Sequence, residues 1–193
     1  MLVEVNLRFK RGKVMDDDLY MPGHAPMACS AKNSPLKFGA SASNSGSENF
    51  TLRSDDFENN GRIPPRFTCD GEDVSPHLAW SNPPTGVKSY ALSVVDPDAP
   101  GGTFIHWLVY NIPVQCAEIE RGRLPPGAVE VENDFGRRGY GGPCPPYGTH
   151  RYIFTLHALN VERLEGVMRR NFFQKVGEKT IAKATLTGLY SRR

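Results

Sequence analysis

The sequence predicts a mostly β protein, an antiparallel β-sandwich with one or two short helices. Short apolar runs of strand length recur along the chain with turn-rich stretches between them. Gly and Pro are abundant, at 19 and 16 of 193 residues, as expected where the chain reverses often. Only one stretch reads as a helix.

Residues 1–47 differ from the rest. Val3, Val5, Leu7 and Phe9 alternate with Glu4, Asn6, Arg8 and Lys10, the period of a short amphipathic strand. Small polar residues at 40–47 read as a linker, because they bury too little surface to offset the entropy of ordering. The expectation is an N-terminal extension over 1–47, flexible or partly disordered, and one domain over 48–193.

Within that domain, residues 50–52 are a short strand candidate and 61–65 an irregular crossing. Residues 90–95 form an apolar run of strand length. Over 103–112, strict alternation puts Phe104, His106, Leu108 and Tyr110 on one face and Ile105, Trp107 and Val109 on the other. Residues 152–159 repeat the pattern, and 180–190 are expected to close the sheet. The helix candidate spans about 164–176, with Gly177 as a left-handed residue just past its end.

Composition excludes several classes. A net charge of +2 lacks the basic excess of a dedicated nucleic-acid binder. No apolar run approaches the roughly 20 residues of a membrane-spanning helix. Met1-Leu2-Val3 meets Glu4 at once, so no signal peptide is expected, and Met27-Ala28-Cys29 lacks the apolar stretch of a lipoprotein signal. Cys29, Cys69, Cys116 and Cys144 contain no Cys-x-x-Cys pair, so neither a structural zinc nor any cofactor is expected. Four scattered cysteines fit a reducing cytoplasm, the expected location, with one bridge left open.

Two polar clusters carry the chemistry. Asp96-Pro97-Asp98-Ala99-Pro100 follows the 90–95 run and leads to His106-Trp107, so a chain reversal returns His106 towards Asp96. Pro97 and Pro100 stiffen that loop, and either preceding bond can be cis. The second cluster, Gly139 onward through Gly141-Gly142-Pro143-Cys144-Pro145-Pro146-Tyr147-Gly148, feeds His150-Arg151-Tyr152. Its glycines allow N–H groups near Gly141 and Gly142 to point at an anion. His150 and Tyr152 share one strand face, whereas Arg151 reads as a salt-bridging scaffold residue and Trp107 as core. Each feature alone has a structural reading; their conjunction at strand edges points to a binding site.

These two clusters, with Thr68-Cys69-Asp70-Gly71-Glu72-Asp73-Val74-Ser75-Pro76 and Leu78-Ala79-Trp80, resemble the phosphatidylethanolamine-binding protein (PEBP) family, also called Raf kinase inhibitor proteins, in its bacterial form. The resemblance runs from about Phe50 to Tyr190. It implies a PEBP-like β-sandwich with a small cavity for phosphate-bearing groups, lined here by Asp96, Asp98, His106, Gly142, Pro143, His150 and Tyr152. It also implies a regulatory binding protein rather than an enzyme. The ligand would be a phospholipid head group, a nucleotide or a phosphorylated ligand. Its protein partner would be a kinase or protease; nucleic acid is not expected, and membrane contact is at most peripheral. His77 stands where a proline is common and is expected to add a third imidazole nearby.

Electrostatics frames the site. A phosphate monoester carries close to two negative charges, so two ionised aspartates repel it. Protonated histidines, a protonated aspartate, or a ligand bringing its own ammonium would offset that repulsion. Binding is then expected to strengthen as pH falls from 8 to 6. Two competing readings are a metal- or thiol-dependent hydrolase, with Cys144 and His150 as nucleophile and base, and a pure interaction module with a vestigial cavity.

Overall fold

A computed structural model describes residues 49–192. The expectations for residues 1–47, and Cys29 with them, lie outside the described residues. The strands are Thr51–Arg53 (β1), Gly61–Arg62 (β2), Leu78–Ser81 (β3), Ser89–Asp96 (β4), Phe104–Pro113 (β5), Glu118–Ile119 (β6), Val129–Val131 (β7), His150–Leu159 (β8) and Thr180–Tyr190 (β9). One α-helix, Phe172–Gly177 (α1), and two short 3₁₀ turns complete the fold.

A small sheet of order β1-β3-β6 faces a large one of order β2-β9-β8-β4-β5-β7. Pairing is antiparallel except between β2 and β9. Leu52, Leu78, Trp80 and Ile119 of the small sheet pack against Tyr90, Leu92, Val94, Trp107, Val109, Phe154 and Leu156 of the large one. Each such buried side chain contributes about 1.5–3 kcal/mol of transfer free energy. The other face of the large sheet is covered too: Leu164, Phe172 and Val176 lie over Ala91, Leu108 and Leu159. Burial on both faces explains why β4 reads as a continuous apolar run instead of an alternating one.

Strict alternation along β5 does not hold. Val94 pairs with Trp107 and Val95 with Ile105, so His106 and Trp107 both stand opposite Val94 in a β-bulge. A second irregularity lies between the pairs Tyr90–Ile112 and Leu92–Val109, where Asn111 takes φ +57°. The bulges carry His106 to the side of Tyr152, against which its ring packs, and leave Leu108 and Tyr110 with the outer cluster. Phe104, His106, Leu108 and Tyr110 therefore do not share one face.

The helix is also shorter than expected. Asn111 takes both backbone groups of Leu164, accepting from its N–H at 2.8 Å and donating to its carbonyl at 3.1 Å. Gly166 then turns the chain at φ +60°, and the Asn171 side chain accepts from the Met168 N–H at 2.7 Å. After a 3₁₀ turn over Arg169–Asn171, α-helical geometry begins only at Phe172. Gly177 is its last residue, within the helix and without positive φ, rather than a left-handed residue beyond it. All described peptide bonds are trans, those before Pro97 and Pro100 included.

Candidate functional site

Asp96 ends β4 and His150 begins the neighbouring β8, so the antiparallel register places them together at one end of the large sheet. His150 donates its Nδ1–H to Asp96 Oδ2 at 2.7 Å, and both side chains are 5% exposed. Asp96 Oδ1 accepts the Asp98 N–H at 2.8 Å, which closes the turn after β4. The Asp96 carboxylate is thus fixed on both oxygens, and His150 keeps Nε2 as the nitrogen able to meet a ligand.

That turn hands the Asp98 carboxylate to Arg151. Its Oδ1 accepts from Arg151 Nη2 at 2.6 Å, and its Oδ2 from Arg151 Nε and the Arg151 N–H, both at 2.9 Å. The guanidinium holds the Asp98 carboxyl down at about 2. Asp98 is a loop clamp, and Arg151 is the scaffold residue expected of it.

His106 is fixed by a reciprocal pair: its Nδ1–H donates to Gly141 O at 2.6 Å, and the Gly141 N–H donates to His106 O at 3.0 Å. Its ring meets Tyr152 edge-on at 5.1 Å, Phe135 at 5.4 Å and Phe104 at 5.1 Å. Burial lowers its pKa below the usual histidine value, against the opposing pull of the Gly141 carbonyl and Asp96. Tyr152 is 1% exposed, and its hydroxyl has no hydrogen-bond partner. Burial raises its pKa, and Asp96 raises it further; the Cys144 backbone beside the hydroxyl opposes both. Asp96, His106, His150 and Tyr152 thus converge, Asp96 acting electrostatically on both His106 and Tyr152.

The glycine-rich loop serves otherwise than expected. The Gly141 N–H is spent on His106 and the Gly142 N–H on Asp73 Oδ1 at 2.6 Å, so neither points at an anion. A side chain at Gly142 has no room: its Cβ would stand 2.6 Å from Phe67 O and 2.7 Å from Thr68 Cα. Pro143 O accepts the Cys69 N–H at 3.1 Å, and Tyr140 donates its hydroxyl to Phe67 O at 2.9 Å. Gly142 and Pro143 form a wall of backbone docked on the 67–73 loop.

A disulfide between Cys69 and Cys144, Cα atoms 5.4 Å apart, joins the same two loops. There is no free cysteine among the described residues, so the reading of Cys144 as a thiol nucleophile fails in this state. No group of three or more His, Cys, Asp and Glu side chains among the described residues is placed to hold a metal ion. His77 is not a third imidazole of the site. Its Nδ1 accepts the Asp55 N–H at 3.2 Å, and its Nε2 lies 3.3 Å from Glu118.

Sequence reasoning missed the walls. Phe135 comes from a loop whose Asp134 accepts the Ile105 N–H at 2.7 Å and pairs with Arg169. Asp73 reaches Gly142 across 69 residues of chain. Only the general resemblance around 68–76 marked Asp73; nothing local marked Phe135.

The family model for phosphatidylethanolamine-binding protein matches residues 53–191. A UPF0098 protein of Aquifex aeolicus is 48% identical over 145 residues, covering 70% of this chain and 85% of its own. The UPF0098 protein YbhB of Escherichia coli is 38% identical over 156 residues, covering 72% and 99%. Among solved structures, E. coli YbcL, a member of the mammalian PEBP family, superposes with TM-score 0.71 at 33% identity, covering 75% of this chain and 99% of that one. A PEBP homologue from Chlamydia trachomatis, CT736, gives 0.69 at 36% identity, covering 75% and 98%.

Proposed function

The chain belongs to the phosphatidylethanolamine-binding protein family, and on that premise we propose that it is a regulatory binding protein whose pocket takes a small phosphate-bearing ligand. The observation that carries this is the buried, unpartnered Tyr152 hydroxyl beside two histidines whose Nδ1 atoms are already tied down. A buried hydroxyl left unpaired costs about 1–3 kcal/mol, a cost that an incoming acceptor removes. The hydroxyl and the two Nε2 atoms supply donors to phosphate oxygens, the imidazoles doing so when Nε2 carries a proton. Charge favours this more than the sequence suggested. Arg151 neutralises Asp98, so Asp96 is the one carboxylate among the four converging side chains. A ligand with its own ammonium, such as an ethanolamine phosphate, pairs that cation with Asp96. A phospholipid head group, a nucleotide and a phosphorylated protein segment share this chemistry. Regulation of a kinase or protease would follow from presenting or withholding such a group.

The disulfide bears on location. Such bonds persist in oxidising compartments and are rare in a reducing cytoplasm. We therefore place the protein in an oxidising compartment rather than the cytoplasm expected from its sequence. No helix among the described residues is long and apolar enough to cross a membrane.

Calorimetric titration with inorganic phosphate and with O-phosphorylethanolamine tests the reading. Tyr152→Phe should weaken binding about five- to tenfold, the worth of one hydrogen bond, while leaving stability unchanged or higher. His106→Ala and His150→Ala should each weaken it further. Because burial lowers the pKa of His106, its share of the strengthening should appear mainly as pH falls below 6.5. Affinity indifferent to all three substitutions overturns the reading.

A further inference from the structure

We propose that the Cys69–Cys144 disulfide is a thiol-exchange site whose oxidation state sets the affinity of the pocket. The inference rests on the ligand reading above and adds its regulation.

The stretch 144–149 is the weakly held part of the site. Upstream, residues 139–143 are fixed by Gly139 O, Tyr140 Oη, the Gly141 and Gly142 N–H groups and Pro143 O. Downstream, β8 pairs from His150 onward. Between them, among the described residues, 144–149 makes no backbone-to-backbone hydrogen bond to another element. Its ties are the disulfide, the burial of Pro145 and the Tyr147 ring 6.4 Å from His150. Prolines at 145 and 146 lack the N–H groups with which a ladder would form. The Tyr152 hydroxyl lies against the Cys144 backbone, so the bond that fixes Cys144 also fixes one wall of the pocket.

The bond is reachable. Cys69 is exposed and Cys144 half-buried. A dithiol reductant attacks Cys69 Sγ as a thiolate, the S–S bond breaks and Cys144 leaves as a thiolate. The reductant's second thiolate then attacks the mixed disulfide and releases Cys69. Two electrons pass to the protein, the two cysteine sulfurs take up protons, and the reductant closes to its own disulfide. With the tie gone, 144–149 samples conformations that lack the wall, and affinity falls by the fraction of time the wall is absent.

The test compares wild type with the Cys69→Ser, Cys144→Ser double variant, which leaves Cys29 and Cys116 untouched, and with wild type in dithiothreitol. Hydrogen exchange is followed at 144 and 147–149, and O-phosphorylethanolamine binding by calorimetry. Loss of the bond should weaken binding about fivefold or more, the effect of a wall present one-fifth of the time. It should speed exchange in this stretch at least about tenfold while β4 and β8 stay protected. Affinities within twofold overturn the proposal, as does loss of protection throughout β4 and β8, which would make the bond a strut of the whole domain. If oxidised wild type binds no probe, the ligand reading falls. Faster exchange confined to 144–149 would then still support the exchange site, and its absence would overturn it.

Discussion

Acid should weaken the fold through a histidine remote from the ligand chemistry. His157 lies in β8 opposite Ala91 and Lys183 and is 5% exposed. Thr180 gives its hydroxyl proton to Val176 O at 2.7 Å, so its oxygen can only accept from His157 Nδ1–H, 3.3 Å away. That leaves Nε2 as a buried acceptor with no donor. Protonating it would bury a cation beside Lys183, and burial together with that charge holds the His157 pKa down to about 4, against 6.5 when unfolded. The unfolded chain therefore binds the proton first as pH falls, and stability is lost below 6.5 until the folded group also titrates near 4. From pH 7 to 4.5 the linkage amounts to about 2 kcal/mol. Urea unfolding across that range should show the loss in wild type and a loss smaller by about that amount in His157→Leu. His106 contributes in the same direction in both proteins, so the difference isolates His157. Parallel pH profiles for the two proteins would refute the reasoning.

Other outcomes follow from the packing of the site. Gly142→Ala should cost about 2 kcal/mol or more in urea unfolding, since the new Cβ meets the Phe67 and Thr68 backbone as well as the Asp73 carboxylate that holds the Gly142 N–H. Asp73→Ala leaves the Gly142 N–H without its acceptor and should cost about 1–3 kcal/mol by the same measurement. Asp98→Asn should leave phosphate affinity within twofold, because Asp98 faces Arg151; a loss as large as that of His150→Ala would return Asp98 to the pocket.

The strands were legible because period and turn chemistry are local. The runs around 90–95, 152–159 and 180–190 became β4, β8 and β9 with ends shifted by at most two residues. The convergence of Asp96, His106, His150 and Tyr152 was legible too, through motifs that each lie at a strand end. What failed depended on partners distant in the chain. The bulge at His106 answers to the register of β4, and the shortened helix to Asn111, 53 residues from Leu164. Asp98 and Asp96 look alike in sequence, yet Arg151 claims one and His150 the other. Pairing of Cys69 with Cys144 needed two loops 75 residues apart to dock. Sequence by itself determined which side chains stand at the strand ends, because alternation and turns are set over a few residues. Tertiary structure alone decided which hydrogen bonds those side chains keep free, because a buried donor or acceptor takes its partner from whatever element is packed against it.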